Sequence, residues 1–86
     1  MNSWKVIWEE ETEKNLSKID KTTTRKIRDK VEKYLVKNPQ QLGEPLTSQY
    51  KGFHRYRYGD YRIIYEIKEK ELVILIVKIG HRREVY

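Results

Sequence analysis

Three arginines, Arg55, Arg57 and Arg62, fall within the short segment RYRYGDYR. Side chains alternate along a strand with a period of two, so Arg55 and Arg57 share one face while His54, Tyr56 and Tyr58 share the other. A two-residue turn at Gly59-Asp60 sets Arg57 opposite Arg62 and Arg55 opposite Ile64, whereas an odd-length turn moves Arg62 to the other register. Like charges directly across a strand pair destabilise by a few tenths to about 1 kcal/mol. Such local rules are broken mainly where function demands it, and an anion seated between the charges relieves the repulsion. Arginine suits phosphate, because its planar fork bonds two oxygens at once and stays charged at any accessible pH. The plainer alternative is a set of salt bridges from these arginines to Asp or Glu on neighbouring elements.

The chain closes on GHRREVY, directly after its most apolar run. A polar tail leaving a central strand brings His81, Arg82 and Tyr86 toward the end of the sheet, where the three arginines also converge. By themselves these residues read first as a frayed, solvated terminus and second as a site. The charge balance supports a polyanionic partner: 19 Lys and Arg against 13 Asp and Glu give +6 and a pI near 9.6.

Cysteine is absent, which excludes disulfides, thiol nucleophiles and cysteine-ligated zinc. Two histidines, His54 and His81, carry no HExxH or paired ligand spacing, so neither a metal nor a cofactor is expected. At 86 residues the chain is expected to form one domain, 1–86, with a thin core. Activity must then work on an open face or shallow cleft, which suits a large substrate. No apolar run of about 18 residues is present. The opening MNSWKVIWEEE carries early carboxylates where a signal peptide is apolar, so a cytoplasmic protein without membrane contact is expected.

The elements that position these groups divide near Asn38, with a charged, helical first half and an apolar, strand-like second half. Ser3 to Trp8 is compatible with a short strand. From Glu9 to Asp20 only Leu16 and Ile19 supply an apolar face for a first helix. Between Thr22 and Lys37 the recurrence of Ile27, Val31, Tyr34 and Leu35 marks one face of a second helix, capped by Thr22, Thr23 or Thr24 and ended by Asn38-Pro39. The basic residues between those positions read first as a solvated helix face, second as phosphate-steering charge. Pro39 to Tyr50 reads as a connecting loop. Strands follow at Phe53 to Tyr58, Tyr61 to Ile67 and Leu72 to Ile79, the last apolar enough to be central. The pattern predicts an α+β fold in which an N-terminal strand and two-helix hairpin pack on a small twisted antiparallel sheet.

The R-x-R-x-G-D-Y-R hairpin and the G-H-R-x-x-V-Y ending, after a helical pair and a Leu-Gly-Pro-containing loop, resemble the RelE branch of the RelE/ParE toxin superfamily along the whole chain. The resemblance implies a RelE/ParE-like, microbial-RNase-like fold. It also implies a ribosome-dependent mRNA endonuclease that cuts in the A site and is held inactive by a cognate antitoxin, with operator DNA met only through the toxin–antitoxin complex. Carried over by position, the hairpin arginines are Arg55, Arg57 and Arg62, followed by Arg82 and then Tyr86. Beside this carried-over set, Lys51 just upstream and Arg83 read as further RNA contacts and His81 as a candidate acid, base or stacking group. The sequence departs from the common pattern in having arginine where lysine is frequent on the hairpin. Its tail stops at Tyr86, and the lack of a final helix is expected to affect antitoxin binding.

Cleaving RNA through its own 2′-OH requires a base for that proton, stabilisation of a phosphorane and help for the leaving 5′-oxygen. Arginines meet the second need. The base is Tyr86, its pKa lowered from about 10 by nearby guanidiniums, or His81, whose reference value is near 6.5. His54 faces away from Arg55 and reads as structural, and Tyr56, Tyr58 and Tyr61 read as core packing before base stacking. Two other readings stand beside the nuclease: a ParE-type toxin that acts on DNA gyrase by protein contact, and a noncatalytic nucleic-acid binder or repressor component.

Overall fold

The computed structural model describes residues 4–83. In chain order the elements are β1 (Lys5–Trp8), α1 (Glu10–Ser17), α2 (Lys21–Asp29), the one-turn α3 (Pro39–Leu42), β2 (Glu44–Pro45), β3 (Phe53–Tyr58), β4 (Tyr61–Lys68) and β5 (Val73–His81). The five strands form one sheet in the order β1-β5-β4-β3-β2. Pairing is antiparallel from β2 to β5, but β1 joins β5 in parallel, Lys5 beside Val73 through Trp8 beside Ile76. The helical hairpin that follows β1 makes this possible, because a parallel neighbour needs a long crossover. The apolar run of β5 is therefore flanked by strands on both sides, as its composition predicts.

The helices cover one face of the sheet, and the core lies between them: Leu16, Ile27, Val31 and Leu35 meet Ile63, Tyr65, Ile74, Ile76 and Ile79. Helix α1 is anchored by more than its one apolar residue, Leu16. Thr12 is fully buried, and its hydroxyl donates to the Ile76 carbonyl at 2.8 Å; the Ile79 N–H donates to Asn15 Oδ1 at 2.9 Å. Thr12, Asn15 and Leu16 thus make a helical stripe in which two members bond to β5, a stripe that hydrophobicity alone does not register. Asn15→Ala is expected to cost about 1–3 kcal/mol, because it leaves a partly buried N–H unpaired. Thr12→Val should cost less, since the Ile76 carbonyl keeps its bond from Glu9 N–H at 3.0 Å. Urea denaturation midpoints of the two variants check this order.

Asp20, rather than one of the threonines, caps α2. Its side chain accepts from Thr23 N–H at 3.0 Å, which holds the carboxyl below its ordinary value. Thr24 instead ties the two helices together, its hydroxyl within 3.2 Å of the Leu16 carbonyl. Beyond Asp29 the helix widens into a π turn over Lys30–Tyr34 and then tightens into a 3₁₀ turn over Leu35–Lys37. In a π turn each residue advances through a smaller angle, so Leu35 stays above Val31 and both remain fully buried. Tyr34, expected on the apolar face, is carried out of it and is 45% exposed. The segment read as a loop, residues 39–50, is largely structured: Pro39 starts α3, β2 pairs with β3, and a 3₁₀ turn spans Ser48–Tyr50.

The hairpin between β3 and β4 has a two-residue turn with Gly59 at φ +57°, a backbone region that glycine enters freely. A second irregularity decides the far end of the sheet. The β4–β5 register shifts between Ile64, beside Lys78, and Tyr65, beside Ile76, leaving Val77 as an extra residue in β5. Strict alternation that put Ile74 and Ile76 on the core face would put Lys78 there too. The bulge reverses the parity, so Ile79 is buried and Lys78 is exposed.

Candidate functional site

The sheet register brings Arg57 directly opposite Arg62, and Arg55 opposite Ile64, on the face that the helices leave uncovered. Gly80 of β5 lies beside Arg62 on its other side, and the chain then passes the hairpin turn, where Arg82 N–H donates to the Asp60 carbonyl at 2.7 Å. Arg57, Arg62 and Arg82 therefore gather at the hairpin end of the sheet.

Carboxylates reach this group, as the plainer reading of the arginines anticipates. Glu44, carried by β2 and paired with Arg55, sets Oε1 at 3.4 Å from both Arg55 Nη2 and Arg57 Nε. Arg82 Nε is 3.9 Å from Asp60 Oδ1. Arg62 makes no ion pair among the described residues; its Nη1 donates to the Gly59 and Tyr61 carbonyls, each at 3.1 Å. Four guanidiniums against two carboxylates leave this patch at 4 − 2 = +2. The Arg57 and Arg82 side chains are each 58% exposed. Exposed pairs of this kind are worth about 0–1 kcal/mol, less than the charge-assisted bidentate bonds a phosphate offers. Glu44 and Asp60 thus offset the repulsion without locking the arginines away. Arg55 differs: its side chain is 22% exposed, and its buried Nε has no partner among the described residues. It serves the inner side of the patch.

The remaining predicted site residues do not all join this group. Because of the β5 bulge, His81 pairs with Tyr61 on the helix-covered face, its ring 5.9 Å from that of Tyr61 and nearly perpendicular to it. There it lines a cleft of about 400 Å³ with Glu11, Asn15 and Lys18, away from the guanidiniums, and its Nδ1 accepts from Arg83 N–H at 3.3 Å. Arg83 is exposed just beyond β5. Lys51 is exposed and precedes β3 at the end remote from the turn, on the Arg55 side of the patch. Tyr86 lies outside the described residues. Sequence reasoning missed Glu44, whose two-residue strand is too short to show a period, and saw Asp60 only as a turn former.

His54 packs on the other side of β3, stacked on the fully buried Tyr65 at 5.4 Å and 22°, with its Nδ1 buried and unpartnered among the described residues. Burial lowers its pKa from the ordinary 6.5 and pushes the Tyr65 phenol above its usual range. Tyr56 is raised too, by burial first and by Tyr34 second. A histidine depressed in the folded state binds its proton more readily when unfolded. Its contribution to stability is therefore complete above about pH 6.5 and declines as pH falls from there toward the folded value. Denaturation midpoints are expected to drop between pH 7.5 and 5.5 in the native chain, and the His54→Phe variant should show a smaller drop.

Among the described residues no three His, Asp or Glu side chains gather as metal ligands, and no helix is long and apolar enough to cross a membrane. The family model for the ParE toxin of type II toxin-antitoxin system, parDE, matches residues 6–86, and the chain belongs to that family, within the RelE/ParE superfamily. Toxin RelE of Mycobacterium tuberculosis is 38% identical over 52 residues, and Toxin RelG of the same organism is 31% identical over 52 residues. Each match covers 60% of this chain, and 54% and 60% respectively of the relatives, so the chain spans little more than half of their length. A chain of the Mycobacterium tuberculosis RelBE2 toxin–antitoxin complex superposes with a TM-score of 0.88 at 22% identity, over 93% of this chain and 99% of that one. For the intact Escherichia coli RelBE complex the values are 0.75 and 14%, over 92% and 96%. At these identities the structural matches establish the shared fold.

Proposed function

We propose that this chain is the toxin of a type II pair that cleaves mRNA on the ribosome and is silenced by a cognate antitoxin. The single observation that carries the reading is the Arg57–Arg62 cross-strand pair on an uncovered face, with the Arg82 backbone bonded at the adjoining turn. Stability gives no reason to set two guanidiniums opposite each other; a bridging phosphodiester does. In this reading Arg57 and Arg82 release Glu44 and Asp60 to grip the phosphate, and Arg62 meets the charge that develops on its equatorial oxygens. Tyr86, the position assigned by the family resemblance, takes the proton from the 2′-OH as the phenolate. The 2′-oxygen bonds to phosphorus, the bond to the 5′-oxygen breaks, and that oxygen leaves with a proton from the phenol or from water. His81 faces the other side of the sheet and is left to RNA contact or structure. The +6 charge favours an acidic antitoxin segment that folds on binding, and attracts the polyanionic ribosome.

A primer-extension map of translated mRNA after brief induction tests the proposal. Cuts at codon positions are expected with the native chain and not with its Arg62→Ala variant. The family description favours a second reading, in which the chain acts on DNA gyrase as ParE-type toxins do. Intact mRNA together with gyrase-linked DNA damage would establish that one instead.

A further inference from the structure

The π turn that carries Tyr34 out of the core leaves an aromatic ring in a basic setting. Lys30 Nζ lies 4.9 Å from the Tyr34 ring centroid, and Tyr56 touches the ring from the sheet side at 6.5 Å and 49°. Lys26, Lys30, Lys33, Tyr34 and Tyr58 line a shallow pocket of about 350 Å³, in which Asp29, paired loosely with Lys33 at 3.8 Å, is the one acid. Tyr56 and Tyr58 belong to β3, and the residue between them is Arg57, pointing to the opposite face. Strand β2 covers β3 only at His54 and Arg55, so around Arg57 the edge of β3 has no neighbouring strand among the described residues. The arginine patch and the Tyr34 pocket are thus two sides of one free edge.

We propose that this pocket is a second RNA subsite, which takes one unpaired nucleotide of a single strand that runs off the arginine face and over the β3 edge. The base stacks on Tyr34, and the flanking phosphates are neutralised by Lys26, Lys30 and Lys33. An exposed aromatic ring flanked by ammonium groups is the platform by which single strands are held without sequence preference. The cation–π contact of Lys30 is weak enough at an exposed site for the ammonium to move from ring to phosphate. An acidic peptide would use the lysines equally well but gives no role to a tyrosine expelled from the core. The inference rests on the RNA-directed reading above and assigns it a further contact.

The test is fluorescence anisotropy of a labelled single-stranded decanucleotide RNA with the full chain at low and moderate salt, beside a labelled oligoglutamate peptide. Tyr34→Ala should weaken RNA binding by about tenfold, the effect of removing one stacking platform, and Tyr34→Phe should retain it. Lys30→Ala/Lys33→Ala should lower the salt slope by about 1.4, two single-strand phosphate contacts at ~0.7 each. Because Tyr34→Phe and the double lysine variant leave the buried core untouched, circular dichroism should report their native melting. RNA binding unchanged in Tyr34→Ala, or a native salt slope in the lysine variant, overturns the proposal. So does a loss in Tyr34→Ala as large for oligoglutamate as for RNA, which would mark a peptide site. Tyr34-dependent binding by a chain that leaves translated mRNA uncut supports the subsite while refuting the nuclease. Cleavage without Tyr34 dependence of binding does the reverse.

Discussion

Arg62→Ala is expected to lower ribosome-dependent mRNA cleavage by about 10²- to 10³-fold, the usual cost of removing one preorganised donor from a developing oxyanion. Of the guanidiniums at the hairpin end, Arg62 makes no ion pair among the described residues, and its two bonds go to the Gly59 and Tyr61 carbonyls. Those carbonyls orient the group without cancelling its charge. Arg62→Lys should restore the activity only in part, because an ammonium cannot span two phosphate oxygens. The same alanine variant should be as stable as the native chain or slightly more so, by a few tenths to about 1 kcal/mol, since it removes a like charge facing Arg57. Activity falling while stability holds or rises is the signature of a residue kept for its ligand. Cleavage at the native rate by Arg62→Ala, scored by primer extension, would remove the arginine pair from the mechanism.

The largest expected loss of stability comes from a glycine far from any chemistry. Gly43 is buried at φ −101°, a backbone angle open to any residue, so conformational freedom does not explain it. Space does: a Cβ at this position would overlap the hydroxyl end of Tyr65. Tyr65 is fully buried, and its hydroxyl donates to the Pro39 carbonyl at 2.6 Å, fastening α3 to the centre of the sheet. Gly43→Ala must push that ring aside, combining overpacking with the loss of a buried hydrogen bond, for about 2–4 kcal/mol. A domain this small is stable by only about 5–10 kcal/mol, so the variant should be near the threshold of folding at growth temperature. Tyr65→Phe removes only the hydroxyl and should cost about 1–2 kcal/mol. The overlap partly disappears in that background, so the double variant should be less destabilised than the sum of the two. Strict additivity in urea denaturation would show that Gly43 and Tyr65 do not meet as described.

Much of the arginine patch was legible in the order of residues, for a local reason. A Gly-Asp turn of two residues and a period of two are properties of a dozen consecutive positions, and together they place Arg57 opposite Arg62. The interior position of β5, flanked by strands on both sides, and the end of the second helix at Asn38 were legible on the same grounds. His81 was not, because its face depends on a bulge at Val77, and a bulge is required only once β4 must bury both Ile63 and Tyr65 against β5. Glu44 approaches Arg55 and Arg57 through strand pairing across chain separations of 11 and 13 residues, which no local pattern encodes. Tyr34 was misplaced because ideal helical spacing assumes 3.6 residues per turn, and packing of Val31 and Leu35 against the sheet holds that stretch in a wider one. Short-range periodicity thus specifies which side chains can share a face. Which face they share, and with which carboxylate or ring, is set by contacts between distant segments that form only when the core closes.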